Sequence, residues 1–408
     1  MADESSAAAA AAAPTAKPQA EEVDYTLNNP DVLTKYKDAA VIAHKVLEAV
    51  SKLAVDGATI LSLCQAGDKM LDEETAKVHK GKKISKGIAF PTTVSPNDIL
   101  TPYTPLSTDA GEAGITVSNG DVLKIQLGAQ IDGFPAIVSD TIVVGEESNE
   151  SNDLILATHY CNEALLRLMI PADIHPSNTP EKPYKVPSSY EITEKLKKIA
   201  AAYGCTLVES TTSFVFARNE IEGKKRLVIL PGEGIPKSEG TPEVGEAWGV
   251  ELSLSKGGGK VKEVPGKRAT LHRKTDTKFS LKRDSSRATL NEVIKKFGTF
   301  PFGLRQLDDE RTAKAGILEC VRSNLFRQFE VLGDKDGAAT SRLFTTIAIT
   351  KNGITKLAAP PAPDFEKITS DKKIEDESIL ELLALPLRAE SKASKKKKKK
   401  TAKKEDAE

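Results

Sequence analysis

The sequence predicts an α+β domain built from two pseudo-symmetric halves. Three observations carry this. Two stretches at helical spacing precede a set of short strand-like runs. The same helix-helix-strands plan starts again near Asn152. A basic segment then interrupts the second set of strands and grades into further helices. The repeat is one of layout, with no residue identity behind it.

Asn29-Pro30-Asp31 reads as a helix start, with a capping Asn and Pro at the first helical position. Tyr36, Ala39, Ala40, Ala43, Val46, Leu47, Val50 and Leu53 recur at helical spacing, and Gly57 closes that stretch. Thr59 can cap a second helix carrying Ile60, Leu63, Met70 and Leu71. The basic loop KVHKGKKISKG (77–87) precedes the runs GIAFPTTV, GDVLKIQLGA and FPAIVSDTIVVG. In the second half a helix is expected over Leu154 to Met169 and another over Ser189 to Tyr203. A Pro-rich loop separates them, and the runs CTLVEST, KRLVILPG and AWGVELSLS follow. Helices are then expected around Thr289 to Phe297 and Asp308 to Gln328. A last hairpin, RLFTTIAITKNGITKL, has Asn352-Gly353 as its turn. LAAPPAPDF reads as a linker, and ESILELLALPL as a short amphipathic helix cut by Pro386. The expected organisation is a disordered Ala-rich tail (1–22), a core (23–357), a linker with the short helix (358–390) and a disordered polylysine tail (391–408).

A chain of 408 residues, 39% hydrophobic and 28% charged, can bury a large core. No run approaches 18 apolar residues, so no membrane-spanning helix is expected. The N-terminus lacks a basic start and a Leu-rich stretch, which argues against a signal peptide. Cys64, Cys161, Cys205 and Cys320 lie far apart, which fits buried thiols in a reducing compartment. The formal net charge of zero hides a segregation. Residues 256–296 hold 13 Lys and Arg against 4 Asp and Glu, a net of +9. Residues 391–404 hold 9 Lys and no acid, another +9, so the rest of the chain carries −18. Concentrated basic surfaces on an acidic body attract polyanions.

Signs of catalysis are few. None of His44, His79, His159, His175 and His272 pairs with another His or a Cys at a ligand spacing. Gly257-Gly258-Gly259-Lys260 lacks the second half of a phosphate-binding loop and reads as a flexible loop. Asp308-Asp309-Glu310 opens a helix, where the macrodipole accounts for it.

The order GIAFPT, DVLKIQLGAQIDG, VELSLSKGGGK and LFTTIAI resembles the type II methionine aminopeptidases from about Tyr25 to Leu357, including a helical insert at roughly 256–330. The resemblance implies the pita-bread fold of that superfamily: two pseudo-symmetric αβ halves enclosing two metal ions, with carboxylates and a His making hydroxide at neutral pH. Carried over position by position, it places the substrate-side His on Pro102. The ligand positions fall on Gln126, Ile137, Phe214, Glu251 and Phe344. Asp140 is near Ile137, but three positions along a strand changes the face. Only Glu251 keeps a ligand identity, so no metal and no cofactor is expected. A buried Glu251 must find donors or stay protonated, and Gln126 is the donor the sequence suggests.

LSLCQAGDKML, EETAKVHKGKKISKGIAFPT, the IEGKK turn, FPFGLRQLDDERTAKAGILEC and the SKASKKKKKKTAKK end are similar to one branch in particular. This is the proliferation-associated, ErbB-receptor-binding family with its fungal curved-DNA-binding relatives. The resemblance implies a catalytically inactive protein that binds structured RNA and the large ribosomal subunit, in cytoplasm and nucleolus. It would act in subunit maturation or near the nascent-chain exit. Where animal relatives have L-x-x-L-L, this chain has Ile379 first, which puts a nuclear-receptor role in doubt.

The cations expected to meet phosphates are Lys80, Lys82, Lys83 and Lys86 in the first loop. In the insert they are Lys256, Lys260, Lys262, Lys267, Arg268, Arg273, Lys274, Lys278, Lys282 and Arg283. With Phe279 the only aromatic among them, shape readout through phosphates is expected over base stacking. Lys395, Lys396, Lys397, Lys398, Lys399, Lys400, Lys403 and Lys404 read as a nuclear or nucleolar signal and an RNA-attracting tail. The competing readings are a DNA-binding transcriptional cofactor, an aminopeptidase with a rearranged site, and an adaptor using the 376–386 helix. A monomer without membrane contact is expected.

Overall fold

The computed structural model describes residues 24–146 and 148–389. The first half runs α1 (Pro30–Leu53), α2 (Ile60–Lys77), β1 (Lys86–Pro96), a one-turn α3 (Ala110–Ala113), β2 (Val122–Ile131) and β3 (Phe134–Val143). The second runs α4 (Asn149–Leu168), α5 (Ser189–Ala202), β4 (Thr206–Leu207), β5 (Thr211–Phe216), β6 (Arg226–Ile229) and β7 (Ala247–Ser255). The insert holds β8 (Val261–Glu263), β9 (Leu271–Lys274), α6 (Asp284–Lys296), β10 (Phe302–Gly303), α7 (Glu310–Arg322), β11 (Phe326–Phe329) and β12 (Leu332–Asp334). The chain returns through β13 (Thr340–Thr350) and β14 (Gly353–Ala358) and ends in α8 (Glu377–Ala384).

The helix starts expected at Pro30, Ile60 and Ser189 are where the capping chemistry puts them, whereas α4 begins at Asn149 behind the Ser148 cap, five residues before the expected Leu154, and α6 begins at Asp284, five before Thr289. The Asn29 side chain accepts from the Asp31 N–H and Pro30 opens α1. Thr59 Oγ1 accepts from the Ser62 N–H at the head of α2. Ser188 and Glu191 form a reciprocal capping box on α5. Asp132-Gly133, both at positive φ, make the two-residue turn between β2 and β3. The last hairpin is corrected by one residue. Thr350 pairs with Gly353, so Lys351-Asn352 is the loop, and Gly353 starts the return strand at φ +106°.

Both halves build one nine-stranded sheet in the order β1-β2-β3-β13-β7-β5-β6, with β14 beside β13 and β4 beside β7. Helices α1 and α2 cover one end of a single face, burying Val46, Leu47, Val50, Leu63 and Leu71 against Leu123, Ile125 and Leu127. Helices α4 and α5 cover the other end of the same face, against Trp248, Val250, Leu252 and Leu254. The opposite face takes the alternate residues, and there the insert lies over an apolar cluster that includes Leu271 and Phe300.

Three expectations are revised. The basic insert is not helical throughout. It folds as α6 and α7 with two small sheets, β10-β9-β11 and β12-β8, from runs of two to four residues too short to show a period. Strand β5, from TTSFVF, is not among the expected runs. The third revision concerns residues 359–389, which are not a loose end. In α8, Ile379 and Leu382 are buried in the core beside α4, so its apolar face is already covered and is not free for a partner's groove.

Ala359 to Pro363 roof a small cavity of about 60 Å3 lined by Asp140, His159 and Asn162. Asp140 does sit on the helix-covered face, as strand alternation requires, since it pairs with Ile125. Burial pushes its carboxyl up to about 7. The folded state therefore holds a proton that the unfolded chain has released, over roughly pH 4 to 7. Stability is full below the unfolded pKa and falls as pH rises through 7. Asp140→Asn should flatten this decline and raise stability above pH 7 by roughly 2 kcal/mol, read from urea unfolding at pH 5 and pH 8.

Candidate functional site

The metal-ligand positions expected from the sequence converge on one row across the sheet. Gln126 of β2 pairs with Ser139 of β3, Ser139 with Phe344 of β13, and Phe344 with Glu251 of β7. Residues that pair directly share a face, so the four side chains stand together on the face beneath the insert. Ile137 is two residues before Ser139 on that face and joins the apolar cluster with Phe344. Phe214 pairs with Gly249, two residues from Glu251. It is Phe216, though, that enters the cluster, stacking on Phe344 with ring centroids 6.3 Å apart. Gly249 makes room for both rings, since a Cβ there would lie 2.4 Å from Phe216 and 2.6 Å from Phe344. Pro102 is buried between Thr101 and Tyr103, with no side-chain donor or acceptor to offer.

The expectation that Gln126 donates to Glu251 is wrong. Glu251 Oε2 accepts from Arg342 Nη2 at 2.9 Å, and the arginine side chain is only 9% exposed. Arg342 lies two residues before Phe344, so it shares the face of Glu251 and reaches it diagonally. Gln126 is buried with its Oε1 unpartnered, as are Arg342 Nε and Ser253 Oγ. Lys124, two residues before Gln126, is buried on the same face. Burial pushes its ammonium down to about 7, with Asp98 and Asp121 opposing and Arg342 adding to the fall.

This donor set does not fit two divalent cations. One carboxylate remains, and a guanidinium holds it. Its neighbours are a carboxamide, an isoleucine, two phenylalanines and a buried lysine. Carboxylate-bound hydroxide chemistry needs oxygen donors and net negative charge, and the polarity here is reversed. The sequence signal that could have found Arg342 was its spacing of two from Phe344 in a strand. Arg342→Met should destabilise the chain by about 3 kcal/mol by stranding Glu251, while adding Glu251→Leu should recover most of that loss. Chemical denaturation of both variants tests it, and an equally unstable double variant would mean that the pair is not what holds this row together.

The expected phosphate-binding cations divide into free and engaged. Lys80, Lys82 and Lys83 are exposed. Lys86 instead donates to the Val78 carbonyl at 2.7 Å and closes the end of α2. Arg273 is tied to Glu220 and Glu222 with its side chain 11% exposed, and Lys256 faces Asp153. Lys267 lies 4.8 Å over the Tyr103 ring and Lys274 bonds the Thr275 carbonyl. Lys260 is exposed but bonds Glu209, and Lys262 bonds the Lys335 carbonyl. Arg268, Lys278, Lys282 and Arg283 are exposed, with no acidic partner among the described residues. Lys395 to Lys404 fall outside the described residues. The first loop and the insert do meet, because Lys86 and Lys296, at the end of α6, line one pocket with Asp68 and Arg305.

Residues 34–205 match the model of metallopeptidase family M24. The chain is 39% identical over 383 residues to the curved DNA-binding protein of Schizosaccharomyces pombe, covering 92% of this chain and 96% of that one. It is 32% identical to the ErbB-3 binding protein 1 of Solanum tuberosum over 92% and 93% of the two chains. The chain belongs to this ErbB-3-binding and curved-DNA-binding family of M24 proteins. A solved structure of a thermophilic Arx1 superposes with a TM-score of 0.85 at 54% identity, covering 88% of this chain and 99% of that one. The methionine aminopeptidase of Thermotoga maritima superposes with a TM-score of 0.51 at 15% identity, over 81% and 98%, which is a likeness of fold. Within the M24 family the pita-bread architecture is thus kept here, while the row Gln126, Ile137, Phe344 and Glu251 carries a single carboxylate.

Proposed function

We propose that this M24 protein is not a peptidase and that it binds structured RNA on the large ribosomal subunit. The observation that carries the reading is the Arg342–Glu251 pair standing in the row where two cations would be held. Three things support the polyanion side of it: the +9 segment at 256–296, the free cations Lys278, Lys282 and Arg283, and the exposed Lys80, Lys82 and Lys83. The sequence resemblance supports the ribosome as the site of action, in cytoplasm and nucleolus. Point-charge contacts from exposed lysines fit phosphates recognised by shape.

The name of the fission-yeast relative favours a second reading, binding to duplex DNA. Fluorescence anisotropy at physiological salt decides between them, using a ribosomal RNA hairpin and a bent DNA duplex of equal length. At least tenfold tighter binding of the RNA is expected. A preference for the duplex would replace the RNA reading. The enzymatic side is tested separately by manganese titration calorimetry, where stoichiometric tight binding would restore the peptidase as a candidate.

A further inference from the structure

We infer that the groove along α7 of the insert docks an acidic amphipathic helix of a partner protein. The groove encloses about 410 Å3, a volume that suits a few anchoring side chains. Its floor is aliphatic: Leu304, Ile317, Leu318 and Val321. Leu318 is 52% exposed although it lies in the middle of a helix. Lys314, Leu318 and Arg322 follow at successive four-residue steps, so they form one stripe along α7. The two cations therefore straddle Leu318, roughly 12 Å apart at 1.5 Å per residue. Arg268, which precedes β9, lines the groove as well, and Glu330, which accepts from Gln328 Nε2, is the one acidic residue of its lining. None of the three has an acidic partner among the described residues, although other cations of the insert do.

Charge complementarity selects the occupant. An apolar trough with three unpaired cations and one carboxylate at its margin, a net of +2, takes aliphatic anchors flanked by carboxylates. A helix lying beside α7 presents these at i and about i+7 or i+8, with leucine-like residues between. A nucleotide fits less well, because bases stack chiefly on aromatic planes and this floor is aliphatic, with the guanidiniums of Arg268 and Arg322 only at its margin. Buried His272 also lines the groove with its Nδ1 unpartnered, and burial keeps the ring neutral. It therefore adds no charge to the groove wall. The inference does not depend on the ribosomal reading.

The test uses a fluorescein-labelled, alanine-based helical peptide with glutamates at its first and ninth positions and leucines at the fourth, fifth and eighth. One control peptide exchanges the glutamates for lysines and another the leucines for serines. A single-stranded RNA of similar length is the fourth probe. The acidic leucine peptide should bind the intact chain at least tenfold more tightly than either control. Leu318→Ser and Lys314→Glu should each weaken it about tenfold, while Lys351→Glu, in the loop between β13 and β14 and outside the groove, leaves it unchanged. Equal binding of the acidic and basic peptides overturns the proposal. So does a loss of RNA binding, with peptide binding kept, in Leu318→Ser, since the groove would then belong to nucleic acid.

Discussion

Arg305→Ala should destabilise the chain by about 3–5 kcal/mol and loosen the insert from the body. Arg305 is 4% exposed in its side chain and leaves the insert to enter the first half. Its Nη1 meets Asp68 Oδ2 at 2.8 Å, its Nε donates to Thr104 Oγ1 at 2.6 Å, and its Nη2 donates to the Thr92 carbonyl at 3.0 Å. Asp68 is satisfied from three sides, since the Thr92 N–H and Gln306 Nε2 also donate to it, each at 2.7 Å. Removing the guanidinium leaves a buried carboxylate and two buried acceptors short of a donor. Arg305→Lys should recover little, because a lysine keeps the charge and loses the fork that reaches three partners. Urea unfolding gives the magnitude. Hydrogen exchange over 265–330 shows whether the insert opens before the body does. Unchanged exchange there, with a stability within about 1 kcal/mol of the parent, would mean that the insert is held by its apolar contacts alone.

Reversing Lys278, Lys282 and Arg283 to glutamate should cut affinity for ribosomal RNA by about two decades or more near 150 mM salt. The slope of log affinity against log salt should fall by about 0.7–0.9 for each phosphate that is no longer neutralised. These three side chains are exposed and make no ion pair among the described residues, and the nearest acid, Glu319 beside Arg283, is also held by the Lys282 and Arg283 N–H groups, so stability should change by no more than about 1 kcal/mol. Arg273 and Lys256 would be poor choices for the same experiment. Their charges are committed to Glu220, Glu222 and Asp153, and weaker binding there would report unfolding. Anisotropy across a salt series gives the slope. Sucrose-gradient sedimentation of cell extract shows whether co-migration with large subunits disappears with it. Parent-like affinity and an unchanged slope would move the phosphate contacts elsewhere.

Much of the plan was legible along the chain. The caps at Asn29 and Thr59 are local devices, settled by side chains that reach two or three residues onward. The paired helices and the long buried strands show their periods over ten residues or more. The short strands of the insert have no such length, and β9 exists because β10 and β11 flank it on either side. That Gln126, Ile137 and Phe344 offer no carboxylate was also readable, because residue identity alone says so.

The partner of Glu251 was not readable, and neither was the use each cation is put to. Glu251 and Arg342 are 91 positions apart. They meet only because β7 and β13 pair in one particular register, and shifting that register by a single residue would turn Arg342 to the other face. The sequence by itself determined the paired helices, the longer strands and the repeated layout, since these depend on near neighbours and on side-chain type. Tertiary structure alone decided that an arginine holds the remaining glutamate, that Arg305 bolts the insert to Asp68, and that some lysines stay free while others are consumed. Such pairings depend on where distant backbone segments come to rest, and on which buried charge finds the nearest counter-charge when water is excluded.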